Sequence, residues 1–330
     1  MPETSPSDPG RPTIVTLTMN PALDISTTTD RVHHTSKVRC HGVRHDPGGG
    51  GINVARIAHV LGAPVTAVFP IGGHTGELLT DMLEHSGVSY HSVPIADLTR
   101  ESLTVNEEST GHQYRFVLPG PFVTHEEQDA VLQRLREVAA SAQFLVASGS
   151  LPPGVPADFY QRVADLCRER GVLLILDSSG GGLTQVRYGA FLVKPSKREL
   201  REYVGRDVPT TADQVAAAHE LIDRGVTQAV VVSLGADGAL LATADVDQKF
   251  EAIDVPVVLS GVGAGDAMVA GITVALSRRW SLSDAVRYGV ATGSAMLLTP
   301  GTAPCRPEDV ERLFAQAAPP VDVTRSPARN

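Results

Sequence analysis

Between residues 126 and 233, helix-like and strand-like segments alternate, and this pattern restricts the fold more than any other feature of the chain. The spacing of apolar residues predicts helices over 126–140, 157–170, 197–203 and 212–224. It predicts short apolar strands over 144–148, 172–177, 191–193 and 229–233. Strands separated by whole helices pair in parallel, and a parallel sheet is buried on both faces. The expected fold class is therefore α/β, a Rossmann-like parallel sheet with helices on both faces. Strands at 13–19 and 65–70 and helices at 52–61, 76–85, 264–277, 282–298 and 307–317 extend it.

Two stretches do not fit a buried parallel sheet. Residues 24–45 and 100–120 carry short polar β alternations, the second with a hairpin around Gly111. They are expected to form a small separate sheet, a lid. One domain over 13–318 with that lid suits a chain of 330 residues. The Pro-, Ser- and Asp-rich residues 1–12 and the tail 319–330 are expected to be a disordered leader and tail.

Composition narrows the function. A formal net charge of −9 argues against a nucleic-acid surface. No apolar run reaches the roughly 18–20 residues of a membrane span. Cys40, Cys167 and Cys305 are far apart, without metal-ligand spacing, which suits reduced thiols in a cytoplasm. The eleven histidines show no metal-binding spacing either.

The glycine clusters fall where strands are expected to end, at 72–73, 149–154, 180–182, 235 and 261–265. Ligands of open α/β sheets bind beyond the carboxyl ends of the strands, so one loop-lined cleft is expected. Its strongest element is the segment 260–268 (SGVGAGDAM). An apolar run at 252–259, taken as the last strand, leads into a glycine turn and a helix start. That arrangement directs unpaired N–H groups and a helix dipole at one spot, which favours an anion. Asp266 beside it is out of place for anion binding alone. It suits a base that takes a proton from a hydroxyl while a phosphoryl group is held next to it. A plain strand–helix connection is the alternative.

The run GGGGINVAR at 48–56 is the second strong feature. Four glycines are costly to order, and close approach of a polar ligand would justify them. Asn53 can donate to and accept from sugar hydroxyls, or simply cap its helix. Asp24 follows a proline turn and either binds hydroxyls or caps its own backbone. Lys37, Arg39, Arg100 and Arg115 are surface charges individually; together on a lid of an acidic protein they suggest a pocket for a second anion. Lys194 and Glu199 suit nucleotide phosphates and a magnesium–water shell, or a helix-start charge pair. No G-x-x-x-x-G-K-[ST] is present, and the glycine run breaks G-x-G-x-x-G at Asn53, which disfavours a P-loop and a nicotinamide site.

Taken together, TLTMNPALD at 16–24, the 48–56 run, SGSLPPG at 148–154, DSSG at 177–180, VSLG at 232–235 and GAGD at 263–266 resemble the ribokinase-like (PfkB) carbohydrate kinases. The resemblance covers nearly all of 13–313, and the 48–56 run, KVRC at 37–40 and QYRF at 113–116 are most similar to the family's phosphofructokinase branch. It implies a β lid that doubles as a homodimer interface, with ATP and Mg²⁺ as co-substrates and K⁺ as a further ion. Asp266 is implied as catalytic base and the amides of Gly263, Ala264 and Gly265 as the anion hole. Asp24, Gly49, Gly50 and Asn53 are implied to bind sugar hydroxyls. Arg100, with Lys37, Arg39 and Arg115, is implied to hold the substrate phosphate. Lys194, Ser196, Glu199, Ser233, Gly235, Gly238, Ser260 and Val262 are implied on the nucleotide side, Glu199 reaching Mg²⁺ through water. Ser260, Val262 and Gly301 are implied around a monovalent cation. The implied reaction is phosphorylation of fructose 6-phosphate at its C1 hydroxyl. Fructose 1-phosphate, tagatose 6-phosphate or a catalytically weak regulatory role are the alternatives. The chain departs from the family pattern at Ser196, where Asn is common, at Gly261, where Thr is usual, and at Ala303, where the branch often carries Arg.

Overall fold

A computed structural model of the protein describes residues 13–178 and 180–323. The leader at 1–12 and the end of the tail at 324–330 lie outside the described residues. Strand β1 (Ile14–Leu17) starts the core and is followed by β2 (Ala22–Thr29), β3 (His41–Gly48) and helix α1 (Gly50–Val60). Next come β4 (Val65–Ile71), α2 (Gly73–Ser86), β5 (Ser89–Pro94) and the hairpin β6 (Arg100–Glu107) and β7 (Gln113–Val117). The alternating region supplies α3 (His125–Val138), β8 (Phe144–Ser148), α4 (Phe159–Arg170), β9 (Leu173–Asp177), β10 (Ala190–Val193), α5 (Lys197–Val204), α6 (Thr211–Asp223) and β11 (Thr227–Ser233). It ends with β12 (Ala239–Thr243), β13 (Asp247–Phe250), α7 (Ala264–Ser277), α8 (Leu282–Met296), α9 (Pro307–Gln316) and β14 (Val321–Asp322).

The main sheet has the order β14-β13-β12-β11-β10-β9-β8-β1-β4-β5. It is parallel from β5 to β11 and antiparallel beyond. β1 turns towards β4 on one side while β8 opens the run to β11 on the other, so the switch in strand order lies between β1 and β8. Ligand crevices form at the carboxyl side of such a switch. The α/β class, with helices on both faces, is the one the alternation predicts. Side chains divide between two apolar clusters, one per face. Ile14 packs into one, and Val15 and Leu17 into the other, because successive strand residues point to opposite faces.

The second sheet has the order β3-β2-β6-β7 and is built from the two polar β stretches. Its β2–β6 pair is parallel, Asp24 facing Ser102. The return from β3 into α1 hangs this sheet directly over the crevice.

The sequence expectation fails in two places. The apolar run 252–259 is not a strand: it is irregular, and Val257, Val258 and Leu259 are exposed. The last strand before α7 is β13, which the sequence reading missed because it is short and polar. The expected disordered tail begins instead with β14, whose Val321 and Asp322 pair with Lys249 and Gln248. α7 and α8 approach closely through glycines: a Cβ at Gly271 would lie 2.3 Å from Thr292 Oγ1, and one at Gly289 would lie 2.5 Å from Ile272. That contact fixes the N-terminus of α7 at the crevice.

Candidate active site

The N-terminus of α7 is open. Gly263 takes the left-handed conformation at φ 79°, and no side chain caps the helix. The first α-helical bond in this turn runs from the amide of Ala267 to the carbonyl of Gly263, at 2.8 Å. The amides of Ala264, Gly265 and Asp266 therefore have no helical carbonyl to bond and are free for an anion.

Asp266 stands in this first turn. Asn53 Nδ2, from α1, donates to its Oδ2 at 2.9 Å, and Ser148 Oγ, at the end of β8, donates to its Oδ1 at 3.4 Å. Burial pushes the carboxyl up to about 7, helped by the charge of Asp177 and opposed by Asn53, Lys194 and Ser148. A base poised near neutrality is suited to proton transfer.

Lys194 leaves the end of β10 and is buried. Its Nζ lies 3.2 Å from Asp177 Oδ1, at the end of β9. Burial works against the ammonium, yet Asp177, Glu199 and Asp266 together raise Lys194 above its ordinary range. A Cβ at Gly265 would lie 3.6 Å from that Nζ, so the cation sits against the anion hole. Glu199 is not Lys194's direct partner. Its Oε2 accepts from both the amide and the hydroxyl of Ser196 at 2.8 Å, closing a capping box at the start of α5. Ser196, the departure from the family pattern, thus holds Glu199 at the helix start.

The glycine run has a different physical reason from the one the sequence suggested. A Cβ at Gly48 would lie 2.2 Å from Asp24 Oδ2; at Gly49, 2.6 Å from Thr18; at Gly50, 2.2 Å from Ser148 Oγ; at Gly51, 2.5 Å from the Leu17 carbonyl. The protein's own strand ends, and not only a ligand, demand these glycines. Asp24 lies on β2 facing the crevice, and burial raises its carboxyl to about 6 against the pull of Arg100 and Arg115. Arg100 donates through Nε to Asn20 Oδ1 at 3.0 Å and through NH2 to the Asn20 carbonyl at 3.3 Å, while its buried NH1 has no partner. Asn20 is itself held by Ser150 at 3.1 Å. The buried Oδ1 of Asn53 is also unpartnered. Both are groups that a polar ligand would satisfy.

Two cavities are lined by residues of this region. One, of about 150 Å³, is lined among others by Asp24, Arg115, Ser260, Val262, Gly301 and Thr302. The other, of about 520 Å³, is lined by Ser233, Gly235, Gly238, Gly261, Ala264 and Gly265, with Ile253, Val255 and Leu297 supplying apolar wall. Asp24, Arg115, Ser260, Val262 and Gly301 thus share the first cavity, so Ser260 and Val262 fall with Asp24 and not with the other residues expected on the nucleotide side. Ser233, Gly235, Gly238, Ala264 and Gly265 share the second. Lys37 and Arg39 stand apart. Those two are exposed in the connection between β2 and β3 and line neither cavity.

No three His, Cys, Asp or Glu side chains among the described residues are grouped to hold a metal. Asp177 and Glu199 both act electrostatically on Lys194, and carboxylates in such a position suit an outer-sphere, water-mediated contact to Mg²⁺ on phosphates. Ser260, Val262 and Gly301 share a cavity with Thr302, whose buried hydroxyl is unpartnered and could serve as a ligand oxygen for a monovalent cation. Sequence reasoning did not single out Asn20, Asp46, Arg56, Ser148 or Asp177. Ser148 and Asp177 end apolar strands in motifs already noted, and that position was the available signal. Asn20 and Arg56 lie within the quoted 16–24 and 48–56 motifs; Asp46 gave no signal.

Residues 17–309 match the pfkB family carbohydrate kinase. The ATP-dependent 6-phosphofructokinase isozyme 2 of Mycobacterium tuberculosis is 61% identical over 98% of this chain and 95% of its own. The 1-phosphofructokinase of Haloferax volcanii is 37% identical over 90% of this chain and 95% of its own. Crystal structures of phosphofructokinase-2 from Escherichia coli superpose closely. Its potassium complex gives a TM-score of 0.87 at 39% identity, covering 92% of this chain and 98% of that one. Its fructose-6-phosphate complex gives 0.85 at 38% identity with the same coverage, and its tetrameric inhibited form gives 0.86.

Proposed function

The chain belongs to the pfkB family of carbohydrate kinases, and on that premise we propose that it transfers the γ-phosphoryl group of ATP to the C1 hydroxyl of fructose 6-phosphate, giving fructose 1,6-bisphosphate and ADP. The observation that carries this reading is Asp266, near neutrality, in the first turn of a helix whose opening amides are unpaired, with Ala264 and Gly265 of that turn lining a largely apolar cavity.

Asp266 accepts the proton of the C1 hydroxyl as its oxygen bonds to the γ-phosphorus and the bond to the ADP oxygen breaks. Asn53 and Ser148 orient the carboxylate and favour its ionised form. The amides at 264–266 meet the charge developing on the phosphoryl oxygens, and Lys194 adds a fixed cation beside them. Mg²⁺ bound with the nucleotide would supply further charge neutralisation, and Glu199 and Asp177 would hold its waters. The cavity lined by Ser233, Gly235 and Gly238 receives the base and ribose. Asp24, Asn53 and the Gly49–Gly50 backbone bind sugar hydroxyls, and the free NH1 of Arg100 with Arg115 binds the sugar phosphate. Ser260, Val262 and Gly301 would hold K⁺, which would neutralise charge beside the anion hole.

Lys37 and Arg39 reach a phosphate only if the lid of a second copy brings them there. The lid exposes apolar side chains on both of its edge strands, Val43 on β3 and Phe116 and Val117 on β7, which a second copy in a homodimer would cover. The E. coli relative also has a tetrameric inhibited form, so dimers of this chain are expected to associate further under some conditions. No helix among the described residues is long and apolar enough to cross a membrane. The free thiols of Cys40, Cys167 and Cys305 suit a cytoplasmic enzyme. Fructose 1-phosphate is the second reading, favoured by the Haloferax relative.

The test is ADP release measured across fructose, fructose 6-phosphate, fructose 1-phosphate and tagatose 6-phosphate. The expected result is a kcat/KM for fructose 6-phosphate well above the rest. Equal values for fructose and fructose 6-phosphate would refute it.

A further inference from the structure

A cation buried within α1 is used by none of these steps. Arg56 is 6% exposed, one helical turn beyond Asn53. Its NH1 donates to the carbonyl of Pro47 and to that of Thr302, each at 3.0 Å. Its NH2 lies 3.5 Å from Asp46 Oδ1. Asp46 is also buried and accepts Nε and NH2 of Arg44 at 2.8 and 2.9 Å. An apolar side chain would pack α1 without the cost of desolvating a charge. The guanidinium instead bonds two carbonyls and faces a carboxylate at once, which no other side chain can do.

The two carbonyls belong to segments far apart in the chain, the end of β3 in the lid and the loop after α8. Pro47 is the last residue before Gly48 and Gly49, where the lid joins α1; Gly49 turns at φ 109°, and Gly48 packs on the Asp24 carboxylate. Thr302 follows Gly301, in a loop that lines the same cavity as Ser260 and Val262. Those two residues lead directly into the open end of α7. Asp46 closes the connection: a Cβ at Gly301 would lie 3.3 Å from its Oδ2. The base of the lid and the approach to the anion hole are therefore tied to one side chain.

We infer that Arg56 is a positioning residue that joins the base of the lid to loop 300–302 and thereby couples sugar-phosphate binding to nucleotide binding. Ordering of Asp24 and the lid by the sugar phosphate fixes Pro47, and through Arg56 fixes the loop beside α7. The inference rests on the functional reading above, since it takes fructose 6-phosphate and ATP as the two ligands.

The experiment measures the dissociation constant of a non-hydrolysable ATP analogue with and without saturating fructose 6-phosphate. The proteins are the parent, Arg56→Lys and Asp46→Asn, each also assayed for kcat, KM and thermal unfolding. Arg56→Lys keeps the charge but cannot bridge both carbonyls and the carboxylate. In the parent, fructose 6-phosphate should tighten the analogue about fivefold or more, the lower end of typical coupling. In Arg56→Lys that factor should fall towards one, KM for the sugar phosphate should rise about tenfold, and kcat should fall less. Asp46→Asn should shift the coupling in the same direction and decides the matter if Arg56→Lys does not fold. Variants that lose thermal stability but keep the parent's coupling factor overturn the inference, as does a parent in which the two ligands bind independently. Either result leaves the functional reading standing if the parent turns over fructose 6-phosphate. A parent that does not bind that sugar phosphate overturns both.

Discussion

Asn53 and Asp266, 213 positions apart in the chain, meet through a 2.9 Å hydrogen bond from the amide of one to the carboxyl of the other. The bond favours the ionised form of a carboxyl that burial has raised to about 7. In the unliganded enzyme kcat/KM is expected to rise with pH through about 7 as Asp266 ionises. Asp24, raised to about 6, adds a second acid-side group. Replacing Asn53 with Ala removes a contribution that lowers the Asp266 carboxyl, so the acid limb should move to higher pH. A pH–kcat/KM profile of Asn53→Ala checks this; a limb shifted to lower pH would exclude the bond as a stabiliser of the base.

The same raised carboxyl costs stability. A group whose folded value lies above its unfolded one stabilises the fold below the unfolded value, and loses that contribution as pH rises through the folded value. For Asp266 the loss extends from about 4 up to about 7. Asp266→Asn should therefore stabilise the protein at pH 8, by roughly 1–3 kcal/mol, since a tenfold change in proton affinity is worth about 1.4 kcal/mol and the cleft is partly solvated. At pH 4 the gain should be close to zero. Thermal unfolding of parent and variant at the two pH values measures the difference.

Arg100 is prepared for one further partner. Asn20 fixes its Nε and NH2, and its NH1 is left bare. Arg100→Ala should raise KM for fructose 6-phosphate by about tenfold or more, since a charge-assisted hydrogen bond contributes roughly 1.5–3 kcal/mol. KM for ATP should change little. Initial-rate kinetics with each substrate varied in turn separate the two; a rise confined to ATP would assign Arg100 to the other cavity.

Gly48 and Asp24 constrain one another. A Cβ at Gly48 would overlap the Asp24 carboxyl at 2.2–2.7 Å, so Gly48→Ala should displace that carboxyl. Affinity for the sugar phosphate should fall at least tenfold while the ATP analogue still binds. Calorimetric titration with each ligand is the check.

The fold was legible because its signal is local. Helix 264–277 was read to the residue, as was strand 144–148, since apolar periodicity and flanking glycines act over neighbouring residues. Strand β13 was missed because its four residues, Asp247 to Phe250, are mostly polar, and the 252–259 run misled because exposed apolar residues mimic a buried strand. At the site, the open helix end and its acid were visible at 260–268. The Asp177–Lys194 pair, the Arg100–Asn20 clamp and the carbonyls held by Arg56 join residues far apart in sequence, and only the folded chain brings them together. The reason for the four glycines was likewise hidden, because it lies in Asp24, Thr18, Ser148 and Leu17.

The account stands on Asp266 as the base of a phosphoryl transfer. Its most direct measurement is single-turnover formation of fructose 1,6-bisphosphate from ATP and fructose 6-phosphate by the parent and by Asp266→Asn. The expected result is rapid formation by the parent and a rate lower by roughly 10²–10⁴ in the variant, the range for a general base, with both substrates still bound. A parent with robust turnover and a variant that keeps most of it would contradict the mechanism.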